Sequence, residues 1–522
     1  MVISAALAAC GSDPALPDGG DSDTDAANCG TGSAGEPGVV VTTSGAIRGV
    51  AAAAGGTAYL GVPYAAPPVG DLRWRPPAPA ACEDGVRDAD AYGPRCPQAD
   101  AGGGAATDEA CLTLNVWVPD GAATDRPVMV FVHGGGNSAG SASDPLYAGD
   151  RLAAAGDVVV VTIEYRLGQL GYLAHPALSA ENVDGVSGNY GLLDQVAALG
   201  WVRDNIAAFS GDPDNVTIFG ESAGGRNVCT LLATPAAAGL FARAIVESGA
   251  CKFLRDLPAA EAQGQDVVDA LGCAGAGDVA ACLRAASAAD VVAAVPSDVG
   301  VLTSSLYNPV VDGVVLPAQP EAALRAGDAA AVPLIVGANA DETGKEAPLT
   351  LTQTAYEDLV HAQFGPALGD QILAEYAAVS PPRAAYVALT SDARFICPSR
   401  EIARSATTGA GTARRYLFRY APGAVGAVHG LELPYVFGTF DAVVVPGGGT
   451  YTPTATDLAL SARLQRMWTR FARTGDPGAD PDPAWPAWDD GDPVMVLDDP
   501  TAVEAGAGAA HCDFWRPLYE AL

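Results

Sequence analysis

With 522 residues, 49% of them hydrophobic, the chain carries enough apolar matter for a large core; this rules out disorder over most of its length and allows either two or three domains or one large α/β unit. Its 61 acidic and 28 basic residues give a net charge of −33, which repels polyanions and argues against nucleic acid as a partner; the surplus reads as a solvating acidic surface. No apolar run reaches the roughly 20 residues that a membrane-spanning helix needs.

The chain opens MVISAALAAC. Leu7-Ala8-Ala9-Cys10 resembles the lipobox of bacterial lipoproteins, where the cysteine is freed by cleavage and lipidated, although the segment before it is short and lacks a basic start. Residues 1–10 are therefore expected to be a partial lipoprotein-type signal segment with Cys10 as lipidation site and membrane tether, unless the start is misplaced or the match accidental. Residues 11–38 are Gly, Ser, Asp, Ala and Pro with almost no large apolar side chain, the composition of a flexible acidic linker. Cys29 sits in that linker without an evident role.

Folded structure is expected from Val39 to residue 522. VVVTTSGAIRGV reads as a hairpin, and the Pro-rich stretch 61–80 as extended turns whose Leu, Trp and Tyr pack on the core. LTLNVWVP (112–119) and VMVFV (128–132) read as strands, and VVVVTIEY (158–165) as a strand buried on both faces. Residues 190–206 place apolar side chains at helical spacing; NVTIF (215–219), AIVES (244–248), VPLIVGAN (332–339) and YLFRY (416–420) return to strand. LALSARLQRMWTRFAR (458–473) reads as an amphipathic helix. Strands alternating with helices predict an α/β fold with a large, mostly parallel sheet and helices on both faces. The Ala-rich stretches 250–330 and 345–410 are expected to be helical insertions over the C-terminal edge of the sheet, where such folds place their sites. The NVT sequon at 215–217 falls in a strand expected to be buried and is discounted.

Eleven cysteines without any C-x-x-C pair point to disulfides and an oxidising compartment, hence to an exported protein, secreted or held in a bacterial cell envelope.

Residues 220–224 read GESAG, a G-x-S-x-G directly after the strand NVTIF and before AGGRNVCTLLAT, a helix candidate. That context is a nucleophile elbow: the glycines permit a sharp strand-to-helix turn that leaves Ser222 exposed, and the helix start points N–H groups at developing negative charge. A hydroxyl needs a base within hydrogen-bond reach. Of the five histidines, His133, His175, His361, His429 and His511, the order Ser, acid, His leaves the last three. His361 lies in a helical stretch and His511 beside Cys512 near the end, whereas His429 lies in a Gly-bearing loop after a strand. The acid should follow a strand between Ser222 and His429; VPLIVGANADETG offers Glu342 and its neighbour Asp341, a residue type that also forms turns. MVFVHGGGN (129–137) supplies a Gly-rich turn after a strand, an HGGG pattern whose backbone N–H groups, with that of Ala223, suit an oxyanion hole. The histidines do not cluster with cysteines at ligand spacing, so no metal and no cofactor is implied.

With these residues in place the sequence resembles the type-B carboxylesterase family, the cholinesterase-like branch of the α/β-hydrolases. The likeness runs from about Val39 to the C-terminus through YLGVPYAAPPVGDLRWRPP, EACLTLNVWVP, VFVHGGG, SGNYGLLDQVAALGWVRDNIAAFSGDPDNVTIFGESAGG, NPVVDGVVLP, HGLELPYVFG and MWTRFARTGDP. The resemblance implies an α/β-hydrolase fold and a serine carboxylic-ester hydrolase acting through an acyl-enzyme on small to medium esters. It places the acid on Glu342, in a turn that reads DET where the family has DEG, and the base on His429. It places the oxyanion hole on Gly135, Gly136 and Ala223, and a serine that supports the acid on Ser248. It implies disulfides Cys96–Cys111, Cys273–Cys282 and Cys397–Cys512, leaving Cys82, Cys229 and Cys251 without assigned partners and a Cys229–Cys251 pair open. Two departures bear on substrate. The first disulfide loop holds no tryptophan, which argues against a cholinesterase; VLTSSLY (301–307) lacks a bulky Phe pair, which implies an open acyl pocket. Alternatives are activity on long acyl chains, as in lipases or sterol esterases, and a non-catalytic interaction protein of the same family.

Overall fold

The computed structural model describes residues 36–99, 107–252, 254–297, 300, 302, 305–409, 411–424, 426–445 and 448–520. The lipobox-like segment with Cys10, the linker up to residue 35 with Cys29, and part of the loop 301–307 lie outside the described residues.

Runs of Val and Ile build the centre of the molecule because a pleated strand accommodates β-branched side chains on both of its faces. In chain order the strands are β1 (Val39–Thr42), β2 (Gly45–Arg48), β3 (Val50–Ala51), β4 (Thr57–Pro63), β5 (Val86–Asp88), β6 (Thr113–Val118), β7 (Arg126–Val132) and β8 (Val159–Ile163). They continue with β9 (Gly211–Glu221), β10 (Arg243–Glu247), β11 (Leu334–Asn339), β12 (Ala413–Phe418), β13 (Val444–Val445), β14 (Gly449–Thr450), β15 (Pro493–Leu497) and β16 (Ala502–Ala505). Eleven of them form one sheet in the order β16-β15-β12-β11-β10-β9-β7-β8-β6-β4-β3. Neighbours from β15 through β8 run parallel; β16 at one edge and β6, β4 and β3 at the other are antiparallel. The expected hairpin is β1–β2, with β5 alongside it in a small separate sheet.

Alternate residues of the central strands feed two cores. Val130, Val161, Ile218 and Val246 face one way, onto Leu199 and Val228. Phe131, Val160, Phe219 and Ile245 face the other way, onto Met467 and Trp468. These partners come from helices Tyr190–Asn205 and Ala223–Leu232 on the first face and Ala455–Thr474 on the second. The last of these starts at a capping box between Thr454 and Asp457.

After β7 the chain forms β8 on one side and then returns to form β9 on the other. Such a reversal opens a crevice at the carboxyl ends of the two strands, and the loops after β7 and β9 are those that carry HGGG and GESAG. The two insertions reach the same place. Ser305 Oγ donates to Gly136 O at 2.5 Å, and Phe395, in the π-helical segment Asp392–Ile396, packs on His429 with ring centroids 4.9 Å apart.

The structure pairs Cys96 with Cys111, Cys273 with Cys282 and Cys397 with Cys512, and it also joins Cys229 to Cys251, the pair that the sequence leaves open. Cys82 is disulfide-bonded as well. Such bonding suits an exported protein. Among the described residues no helix is long and apolar enough to cross a membrane.

Candidate active site

Ser222 sits between β9 and the helix Ala223–Leu232 with φ 59° and ψ −119°, a strained conformation for a residue with a side chain. The strain is held by backbone contact. A Cβ on Gly224 would lie 1.9 Å from Val132 O, and one on Gly220 would lie 2.7 Å from that oxygen and from Gly224. Helix start, strand end and the end of β7 thus pack main chain against main chain, which only glycine permits. Ser222 N donates to Glu247 O at 2.9 Å, fixing the turn to the neighbouring strand. Past β7 the chain turns through Gly135 (φ 101°) and Gly136 (φ 65°). Among the described residues the N–H groups of Gly135, Gly136 and Ala223 donate to no protein acceptor, so three donors stand free beside the elbow.

His429 and Glu342 meet. Nδ1 of the imidazole lies 2.5 Å from Glu342 Oε2, and the His429 N–H donates to Glu342 O at 3.1 Å. The carboxylate is fully buried, and its other oxygen accepts from Ser248 Oγ at 2.6 Å and Asn339 N at 2.8 Å. The adjacent Asp341 points elsewhere: its Oδ2 accepts from Ala427 N at 3.0 Å and pins the loop that carries His429. Thr343, which stands where the family has glycine, is buried with its hydroxyl 2.6 Å from that of Thr390. Ser222 Oγ makes no hydrogen bond among the described residues, so the link from serine to imidazole is not closed here. The ring atom left without an aligned partner is His429 Nε2.

That nitrogen lies 3.1 Å from Glu221 Oε1, and Glu221 is one of two carboxylates that reading the sequence missed. The other is Glu432, whose carboxylate accepts from Asn339 Nδ2 at 2.5 Å and lies 3.5 Å from Ser248 Oγ. Both are buried, and burial drives their affinity for a proton upward: Glu221 to about 7, against the pull of His429, and Glu432 to about 8, helped by the charges of Glu221 and Glu342. For His429 burial alone would favour the neutral ring. Glu221 and then Glu342, through charge and hydrogen bond, outweigh it and raise the imidazole's affinity for a proton above its ordinary value. The signals were short-range: Glu221 is the variable residue inside GESAG, and Glu432 closes HGLE.

The remaining histidines serve elsewhere. His133 is buried against the Tyr165 ring, at 4.5 Å between centroids. His175 accepts from Ala177 N at the start of a helix, His361 pairs with Asp370 at 2.9 Å and His511 with Glu375 at 2.8 Å.

The sequence model of the carboxylesterase family matches residues 36–515. The chain belongs to the carboxylesterase family. It is 37% identical over 487 residues to para-nitrobenzyl esterase of Bacillus subtilis, covering 89% of this chain and 96% of that protein. It is 36% identical over 493 residues to fumonisin B1 esterase of Sphingopyxis macrogoltabida, covering 91% and 89%. Among solved structures, a carboxylesterase of Geobacillus stearothermophilus superposes with a TM-score of 0.79 at 34% identity, over 92% of this chain and 100% of that one. A para-nitrobenzyl esterase structure gives 0.79 at 33% identity over 92% and 99%. As a family member with these relatives the chain is a carboxylic ester hydrolase of α/β-hydrolase fold.

Proposed function

We propose that Ser222, His429 and Glu342 hydrolyse small to medium carboxylic esters through an acyl-enzyme. The observation that carries this reading is the imidazole locked by Nδ1 onto a buried carboxylate at 2.5 Å, with Nε2 left over beside the residue that precedes Ser222. Ser222 Oγ attacks the ester carbonyl while Nε2 takes its proton. The N–H groups of Gly135, Gly136 and Ala223 receive the oxyanion; each such donor is worth roughly a hundredfold in rate. The imidazolium then protonates the leaving alcohol, and a water activated by the same nitrogen releases the acid. The serine–imidazole bond is expected to close on the substrate, since such bonds are often loose without it. Ser248 steadies the carboxylate.

A fluorophosphonate probe is expected to label Ser222, and Ser222→Ala to lose both labelling and ester turnover; undiminished turnover by that variant defeats the reading. An interaction protein would stay unlabelled. Turnover of p-nitrophenyl esters of increasing acyl length tests the open acyl pocket, which a strict preference for acetate contradicts.

Residues 39–522 are proposed to be one catalytic domain, preceded by the acidic linker 11–38 and the signal-like segment 1–10. Disulfide bonding supports export, and the Leu7–Cys10 motif supports a lipid tether at Cys10.

A further inference from the structure

The helix that starts at Ala223 carries an arginine one turn beyond the candidate nucleophile, with Arg226 N donating to Ser222 O at 3.0 Å. In an α-helix the Cα–Cβ bond tilts toward the N-terminus and residue i+4 stacks over residue i, so this side chain leans back over the turn of Ser222. Its Nη1 donates to Asn308 Oδ1 at 2.5 Å, and the same oxygen lies 3.5 Å from Nδ2 of Asn137, the residue after Gly136. Asn308 is held in turn through Ser305, whose hydroxyl reaches Gly136 O. The guanidinium is therefore bracketed between the elbow and the loop of the proposed oxyanion hole.

Its partners are unusual for this chain. Arg166 is buried with Asp194 at 2.6 Å, Arg73 with Glu109 at 2.5 Å, and Arg415 with Asp492. Arg226 has no carboxylate within 4.0 Å among the described residues. Among the described residues its one hydrogen-bonded side chain is a neutral amide, and its Nε is buried without an acceptor. A buried, unanswered N–H of a cation is costly. The charge that acts on it is a second cation, Arg394, next to the Phe395 that packs on His429; burial first, then Arg394, hold Arg226 below the usual arginine range, at about 10. Arg226 and Arg394 are part-exposed rather than sealed, as are Ser222, Ser305, Asn308 and His429. Arg394 is itself engaged, donating through Nη2 to Leu302 O at 2.8 Å, whereas Arg226 stands one turn from Ser222 in a chain whose net charge is −33.

A carboxylate supplied by the substrate would answer Arg226. We propose that Arg226 forms a subsite that selects esters whose acid part carries a second, free carboxylate, that is, half-esters of dicarboxylic acids. The acid part is named because the leaving alcohol takes its proton from His429 and so departs on the imidazole side, whereas Arg226 is tied to Asn308 and the Gly136 loop. The reaction is ordinary hydrolysis: water cleaves the acyl–oxygen bond and the products are the alcohol and a dicarboxylate. This inference rests on the esterase reading of Ser222.

The test compares ethyl hydrogen glutarate with ethyl pentanoate, which match in chain length and differ in the terminal carboxylate, by release of ethanol from the full chain. The wild type is expected to favour the half-ester in kcat/KM. Arg226→Met is expected to lower the ratio of the two kcat/KM values about 30-fold, the strength of a charge-assisted pair in a part-buried site. Arg226→Lys should fall between, since a point charge keeps the attraction and loses the fork. Because a ratio cancels partial misfolding, the variants remain informative. The wild type alone supplies a second readout, competitive inhibition by glutarate stronger than by pentanoate. Serine-dependent turnover of ethyl pentanoate with no gain from the carboxylate, or a ratio unchanged in Arg226→Met, overturns the subsite alone. Absence of Ser222-dependent turnover of either ester overturns the esterase reading with it.

Discussion

Replacing Glu342 by glutamine removes a charge and leaves the shape, which isolates what the buried carboxylate does. The group serves three donors: Ser248 Oγ at 2.6 Å and Asn339 N at 2.8 Å on one oxygen, and His429 Nδ1 at 2.5 Å on the other. A glutamine has one acceptor oxygen, and two fixed donors claim it on the Ser248 side. Its NH2 then faces His429 Nδ1 and must donate, so the ring proton moves to Nε2, the atom proposed to take the proton of Ser222. The variant loses the correct tautomer and the partner of the imidazolium together. In this arrangement the expected drop in kcat is about 10³–10⁴-fold, roughly 4–5.5 kcal/mol. Ser248→Ala, by contrast, removes one donor and leaves the charge, so about tenfold is expected. Asp341→Asn should cost less still, because Asp341 braces Ala427 and does not touch the imidazole. The assay is kcat and KM for p-nitrophenyl butyrate at pH 8, with circular dichroism to verify folding. If Glu342→Gln keeps more than a tenth of kcat, or Asp341→Asn matches its loss, the assignment of the acid is wrong.

Glu221 lies 3.1 Å from His429 Nε2 and raises its affinity for a proton; Glu221→Gln should therefore move the acid limb of the kcat/KM profile to lower pH, and an unmoved or raised limb counts against this. Glu432 is raised to about 8 against an ordinary 4.5, so between those values the folded chain holds a proton that the unfolded chain has lost, and stability falls as pH rises. Glu432→Gln, neutral throughout, should flatten the decline of Tm from pH 5 to pH 8; a decline as steep as in the wild type contradicts the burial argument. Gly224→Ala sets a Cβ 1.9 Å from Val132 O and 2.8 Å from His133 O, both backbone; a loss of about 3 kcal/mol or more is expected in urea unfolding, and a loss below about 1 kcal/mol would show that the elbow relaxes. The Cys397–Cys512 bridge spans 115 residues, so replacing both cysteines by serine should cost about 5 kcal/mol if chain entropy governs, as read by the same unfolding curves.

What could be read from the sequence was what local chemistry decides. Val158 to Ile163 declares a buried strand because its side chains are β-branched without interruption, and GESAG declares an elbow because five adjacent residues carry the whole steric argument. Boundaries were less legible: β12 begins at Ala413, three residues before YLFRY, because pairing with Leu334 in β11 sets its start rather than side-chain preference. Asp341 and Glu342 could not be separated by composition or spacing, and only the resemblance chose between them; in the structure the two carboxylates diverge, one to a loop amide and one to the imidazole. Glu221, Glu432 and Arg226 were illegible for a different reason. Each matters through a residue distant in sequence, namely His429, Asn339 and Asn308, and no local pattern announces which buried charge meets which partner.

The charges around the elbow bear on the step they are proposed to serve. Transfer of a proton from Ser222 to His429 creates a cation at the ring and an anion at the former carbonyl. The ring side holds Glu342 hydrogen-bonded by three donors, while burial raises the affinity of its neighbours Glu221 and Glu432 for a proton. The Glu342 carboxylate behind Nδ1 stabilises the imidazolium. At the elbow are N–H groups without an acceptor among the described residues and, one turn on, Arg226. Such donors together with Glu342 would favour the charge separation itself, whatever the ester. A neutral acyl chain draws on those groups alone; an acyl chain ending in a carboxylate would in addition quench the unpaired arginine, which is why substrate preference, rather than rate on a neutral ester, is the sensitive reporter of Arg226.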